Sequence, residues 1–216
     1  MSLVLYYGSG SPYAWRAHLA LEHKALPYEL KVLSFSAGDK RKPEFLALNP
    51  RHQVPVLVDG DFVLYESNAI VEYLDEAYPA TGAPLFPGDA RTRALVRRMV
   101  LEVDNYFSEA VDPLISQAFF VKPEERDADK IAKARQAMAD EFALFGKAMR
   151  GDFLAGALSA ADFALYPLTA FGKRCEMKLP DLGFDTLVTP EIAAWKKRVE
   201  ALPFLGRTIP PHWKAA

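Results

Sequence analysis

The chain is poor in sulfur chemistry: among its 216 residues Cys175 is the single cysteine. A disulfide framework, a CxxC redox pair and a cysteine metal cluster are therefore all beyond one copy of it. The histidines His18, His23, His52 and His212 are scattered, and the two on one helical stretch do not share a face, so no metal site is expected. Excess charge is missing too. Lys and Arg number 26 against 28 Asp and Glu, a formal net charge of -2, which removes the electrostatic reason for a nucleic acid or an anionic membrane as partner. Long apolar runs are absent: LVLYY (3–7) stops too early for a signal peptide or a membrane span and no basic segment precedes it, so a cytoplasmic location is expected. No internal repeat or low-complexity stretch occurs.

What is present is 50% hydrophobic residues, the composition of an ordinary globular protein. LVLYY is a strand, and a helix runs from Pro12 to His23 with Ala17, Ala20 and Leu21 on its apolar side. Tyr28 to Leu33 is a second strand. Strand, helix, strand at this length is a βαβ unit with parallel strands. A short helix in KPEFLALNP ends at Pro50, and VPVLV and FVLYE, joined by Asp59-Gly60-Asp61, form an antiparallel hairpin. Ser67 opens a helix carrying Ile70, Val71, Leu74 and Tyr78. The order for residues 1–78 is βαβ-α-ββ-α.

Residues 79–89, PATGAPLFPGD, hold Pro79, Pro84, Pro87, Gly82 and Gly88 and form a linker. Beyond it, residues 90–216 follow a helical period: one helix through Leu95 to Phe107, another through Ile131 to Met149, a third from Ser159 and a fourth near Pro190. The expected fold is an α/β N-terminal domain followed by an all-α domain. Arg91, Arg93, Arg97 and Arg98 make a basic helix face suited to solvation or subunit contacts.

Three places could carry chemistry. In GSGSPYAWR (8–16), Ser11 followed by Pro12 has the form of a helix N-cap. Gly8 and Gly10 suggest a dinucleotide loop, but Tyr13 stands where the third glycine belongs. In QVPVLV, Pro55 marks a strand start. A cis Val54–Pro55 bond would be the special case and would turn the Val54 N–H and C=O toward an extended peptide. Glu66-Ser67 opens the next helix, where Ser67 can simply cap or the helix N-terminus can take a carboxylate.

In this order and spacing, LVLYYGSGSPYAWRAHLAL, ALNPRHQVPVL and DGDFVLYESNAIVEYLDEAYP resemble the N-terminal domain of cytosolic glutathione transferases, and the helical remainder resembles their C-terminal domain. The resemblance is to the serine-type classes, somewhat zeta- or theta-like. It implies a thioredoxin-like domain over 1–78 and a helical domain over 90–216 that contributes a hydrophobic co-substrate site. Ser11-Pro12-Tyr13-Ala14 stands where glutaredoxins carry Cys-Pro-Tyr-Cys, so the reactive sulfur would arrive with glutathione as co-substrate, with no metal. Lowering a thiol pKa from about 8.5 by about two units takes roughly 2.7 kcal/mol. A hydrogen bond to a charged group supplies about 1.5–3 kcal/mol and a helix N-terminus about 0.3–1 kcal/mol. By resemblance Ser11 is the catalytic donor, with Ser9 and Tyr6 as alternatives. Gln53, the Val54 backbone and Pro55 would hold the cysteinyl part, and Glu66 with Ser67 the γ-glutamyl end.

The implied activity is attack of the thiolate on a hydrophobic electrophile by a homodimer. Isomerisation or dehalogenation at the same site, or a glutathione-binding protein without turnover, are the alternatives. Phe107, Phe119, Phe120 and Phe171 are candidates for the co-substrate pocket, against the simpler reading that they are core. Two positions depart from the family: Arg51 stands where the tyrosine-type classes carry an aromatic key, which favours a more polar two-fold interface, and His52 replaces a common glycine. Further along, GALSAADFALYP sets Ser159 and Asp162 as a capping-box-like pair, with Leu158 and Phe163 as a staple, serving folding rather than catalysis.

Overall fold

Alternation in β1 (Leu3–Gly8) puts Leu3, Leu5 and Tyr7 on one buried face. The computed structural model describes residues 3–213. α1 (Pro12–His23) carries the chain over to β2 (Tyr28–Leu33), which pairs in parallel with β1 from Leu3↔Tyr28 to Gly8↔Leu33. After the single turn α2 (Pro43–Leu46), β3 (Val56–Asp59) runs antiparallel to β1, and β4 (Phe62–Tyr65) returns beside it through the two-residue loop Gly60-Asp61. The sheet order is β2-β1-β3-β4, followed by α3 (Ser67–Ala77). This is the expected βαβ-α-ββ-α arrangement.

α1 packs on β1 and α3 and is buried on all sides from Ala14 to Leu21, including Arg16 and His18. Its C-cap residue Lys24, 1% exposed, lies 3.6 Å from Asp75 of α3. Asp75 also accepts the backbone N–H of Leu85 at 2.7 Å and of Phe86 at 3.3 Å. Part of 79–89 is thus pinned into the core rather than left as a free linker. Gly82 is required there: at φ 58°, a Cβ would come within 2.5 Å of the Lys24 backbone.

The chain divides into two compact units, one running to Phe86 and resuming at Leu202, the other spanning Pro87–Ala201. The sequence alone groups everything from residue 90 onward together. The return of the C-terminal segment has a physical cause: Trp15 Nε1 donates to Thr208 Oγ1 at 2.8 Å, and Arg207 Nε donates to Glu22 Oε2 at 2.8 Å. The short last helix, α9 (Leu205–Thr208), supplies both anchors.

The second unit is mostly helical: α4 (Ala90–Glu102), α5 (Ser108–Phe119), α6 (Ala128–Ala148), α7 (Ala160–Arg174) and α8 (Pro190–Glu200). α5 has no counterpart in the sequence reading. Pro113 within it reads as a helix breaker, and a π-helical turn over Val103–Phe107 joins α4 to it without a stop. Phe107, fully buried, sits 5.1 Å from Phe142 and 6.1 Å from Phe145 between ring centroids. At the head of α7, buried Asp162 accepts the Ser159 N–H at 2.8 Å, the Leu154 N–H at 3.0 Å and Trp195 Nε1 at 2.8 Å. Burial pushes the Asp162 carboxyl up to about 6 despite these donors. No helix is long and apolar enough to cross a membrane among the described residues.

Candidate active site

Three segments of the first unit converge on a cavity of about 210 Å³ lined by Tyr13, Asn49, Gln53, Val54, Pro55, Glu66 and Ser67. The cavity gathers Gln53, Val54, Pro55, Glu66 and Ser67 from two stretches that the sequence separates. Ser11 is not part of its lining. It sits at the N-cap of α1, two residues before Tyr13, which is.

Each segment is held by local chemistry. The Val54–Pro55 bond is cis, and β3 starts at Val56, so Val54 precedes the ladder. Buried Asn49 fixes the approach to it: its Nδ2 donates to the Gln53 carbonyl at 2.9 Å, and its Oδ1 accepts the Arg51 N–H at 2.9 Å. His52 has φ 48°, the left-handed region that glycine adopts freely. That conformation is the backbone reason a glycine suits this position, and here histidine adopts it.

Glu66 has φ 72° and ψ 114° at the N-cap of α3. Such a conformation costs about 1–3 kcal/mol in a non-glycine residue, and residues of this kind concentrate at ligand sites. Ser67 is accordingly the first helical residue and not the cap. Its Oγ, buried, accepts from Arg16 Nη1 at 3.3 Å. Arg16, 2% exposed, also donates to Asn68 Oδ1, and its guanidinium lies 5.5 Å from the Tyr13 ring centre. A buried cation therefore stands behind the start of α3 and reinforces the anion preference of that helix end.

At α1, the Ser11 hydroxyl oxygen accepts the Ala14 N–H at 3.3 Å. That bond uses a lone pair and leaves the O–H to donate outward, beside the positive end of α1. Tyr6 and Tyr7 point to opposite faces of β1. Tyr6 has its ring 6.0 Å from Phe45. Tyr7 is buried near Gly10 and Ser9 without a well-formed hydrogen bond to either, and burial pushes its hydroxyl up to about 12. The one thiol of the chain, Cys175, lies buried in the other unit, held up to about 12 by burial and so unreactive. Among the described residues no group of three or more His, Cys, Asp or Glu side chains could hold a metal ion.

The four phenylalanines do not assemble into one pocket: Phe107 is core, Phe119 meets Phe171 at a tilt with ring centres 5.5 Å apart, and Phe120 is 81% exposed. Sequence reasoning missed Tyr13, Asn49 and Arg16 as lining or supporting residues. An arginine on the inner side of an otherwise apolar helix was the available signal for the last.

This thioredoxin-like unit, its cis proline and its mostly helical companion define the class. The family model described as glutathione S-transferase, N-terminal domain matches residues 10–77, and the C-terminal domain model matches 111–203. A probable maleylacetoacetate isomerase of Vibrio cholerae is 32% identical over 98% of this chain and 97% of its own. A glutathione S-transferase structure from the Antarctic clam Laternula elliptica superposes with TM-score 0.85 at 32% identity, covering 100% of this chain and 95% of its own. A theta-class glutathione S-transferase from Xanthomonas axonopodis pv. citri, solved with glutathione bound, gives TM-score 0.79 at 27% identity, covering 96% and 97%. The chain belongs to the glutathione S-transferase family and is an enzyme of that kind.

Proposed function

We propose that the protein binds glutathione in the cavity between Gln53-Val54-Pro55 and Glu66-Ser67 and transfers its sulfur to a hydrophobic electrophile. The observation that carries this reading is the convergence of those residues, strained Glu66 among them, on one cavity that Tyr13 of α1 also lines, with the buried Arg16 bonded to Ser67 behind it. The γ-glutamyl carboxylate of glutathione meets the N-terminus of α3, where Ser67 and the guanidinium behind it favour an anion. The cysteinyl backbone pairs with Val54, and Gln53 lies alongside.

The thiol loses its proton to solvent, and Ser11 donates its O–H to the resulting thiolate. Ser11 is a donor and not a base, because an unassisted serine hydroxyl is far too weak an acid to hold a negative charge at neutral pH. The thiolate then forms a bond to an electrophilic carbon, and the leaving group departs with its electron pair. The protein works as a cytoplasmic homodimer; the homodimer is consistent with a groove of the helical unit where exposed Tyr106 and Leu144 accompany the Arg98–Glu102 pair at 3.3 Å.

One observation favours a second reading: the whole-length similarity to a probable maleylacetoacetate isomerase. In that case the same thiolate adds to an activated double bond and leaves again after rotation about it. Turnover of aryl halides, and of a cis-unsaturated diketo acid, in the presence of glutathione separates the two. Conjugate accumulating in stoichiometric amount supports transfer. Isomerised acid with glutathione unconsumed supports the second reading, and glutathione retained with neither product leaves a binding protein.

A further inference from the structure

The loop that precedes Ser11 is roofed by the far end of the chain. Ser11 N–H donates to the Gly8 carbonyl at 2.9 Å, closing a four-residue turn with Gly10 at its third position and φ 90°, the pattern of a type II turn. Ser9 and Gly10 are its two corners. Ser9 Oγ lies 3.0 Å from His212 Nδ1 across 203 residues of sequence. A Cβ built on Gly10 would meet His212 Cε1 and Nε2 at 3.3 Å and Trp213 Nε1 at 3.7 Å, so the two rings lie directly on the second corner.

The segment carrying those rings is itself anchored to α1. Trp15 donates to Thr208, the Trp15 and Trp213 rings meet edge to face at 5.4 Å, and Arg207 pairs with Glu22. The buried Tyr7 hydroxyl also lies near Ser9 and Gly10. The Ser9 hydroxyl thus has both a tyrosine from β1 and an imidazole from the C-terminal segment as neighbours.

We propose that His212 is a positioning residue for thiol activation: through Ser9 and Gly10 it holds the turn that aims the Ser11 hydroxyl. The inference rests on the reading of Ser11 as donor. An exposed imidazole and a half-buried serine would ordinarily be of no consequence, but here their bond spans the one turn whose geometry sets the position of the donor. Displacements of about 1 Å at a reacting group are enough to change rates by large factors.

The test is an ultraviolet titration of the thiolate of bound glutathione in wild type, S9A, H212A, H212N, S9A/H212A and S11A, with thermal midpoints and steady-state kinetics on each. Expected for H212A and S9A is a thiolate fraction at fixed pH lower by about three- to tenfold, the loss of one hydrogen bond. kcat falls with it, while the KM for glutathione stays within about twofold. The double variant falls no further than either single one, since both remove the same bond. H212N, whose side-chain amide can reach Ser9 in place of Nδ1, recovers most of the loss. Unchanged titrations in S9A and H212A, additive losses in the double variant, or an H212N no better than H212A would each overturn the proposal. A thermal midpoint that drops in step with kcat would overturn it too, by reducing His212 to a structural contact. S11A keeps the two ideas apart: an unshifted S11A titration removes Ser11 as donor, whereas a shifted S11A with unshifted S9A and H212A removes the role of His212 alone.

Discussion

His18 lies buried on α1 with Nε2 2.6 Å from the Tyr28 hydroxyl, and Tyr28 donates its proton to Glu22 Oε1 at 2.6 Å. The tyrosine has one proton to give, so His18 Nε2 must donate, and Nδ1 is left bare and buried with no hydrogen-bond partner among the described residues. Charging that nitrogen would strand a cation in the core, and burial holds the His18 pKa down to about 4, partly offset by Glu22. The unfolded value is about 6.5. Folded His18 therefore binds fewer protons than unfolded His18 between those limits, and its contribution is present above pH 6.5 and lost as pH falls toward 4. The predicted loss is about 3 kcal/mol of stability across that window. Urea unfolding at pH 6.5 and pH 4 checks it: H18Q, which keeps a donor for Tyr28, should show a shallower pH dependence than wild type, and equal slopes would refute the assignment.

Among the elements, α1 does the most to assemble the first unit, because it carries the Ser11 cap, the Arg16 cation and the Trp15 and Glu22 anchors for the C-terminal segment. Its end is tied to α3 and to the segment after it by Lys24 and Asp75. Removing one member of a buried pair leaves an uncompensated charge and costs about 3–5 kcal/mol. Asp75→Ala also strips the acceptor from the Leu85 and Phe86 N–H groups, so chemical denaturation should report a loss in that range. A loss below about 1 kcal/mol would mean that water reaches Lys24.

The elements also mark how far the sequence could be read. β1, α1 and the hairpin followed from patterns within a few residues: alternation, a Ser-Pro start and an Asp-Gly turn. Pro55 signalled a strand start but not its own geometry: the cis Val54–Pro55 bond was only the special case, and β3 begins one residue later, at Val56. α5 was hidden because Pro113 signals a break locally, while the π-helical turn that carries α4 into it depends on packing around Phe107. Ser67 read as a cap because serine favours caps; only the backbone of Glu66 moves the helix start one residue back. Asn49 carried no signal as a site residue, and Arg16 only that of a charge within a largely apolar helix, since nothing in the order of residues says that this arginine will face Ser67 or that the asparagine will close the loop at Gln53.

At the scale of the molecule, a thioredoxin-like unit without a reactive cysteine of its own is joined in one chain to a helical unit with its own core. The only native thiol is buried and inert, so thiol chemistry has to enter with a ligand. The C-terminal residues, which a linear reading assigns to the helical unit, return to the first one and cover the turn before Ser11.

In the function proposed, Ser11 holds the sulfur of glutathione as an anion. Ultraviolet difference titration of glutathione bound to wild type and to Ser11→Ala addresses it directly. The bound thiol should show a pKa of about 6.5 in the wild type, returning toward about 8.5 in the variant while glutathione still binds. A titration that Ser11→Ala leaves unmoved would contradict it.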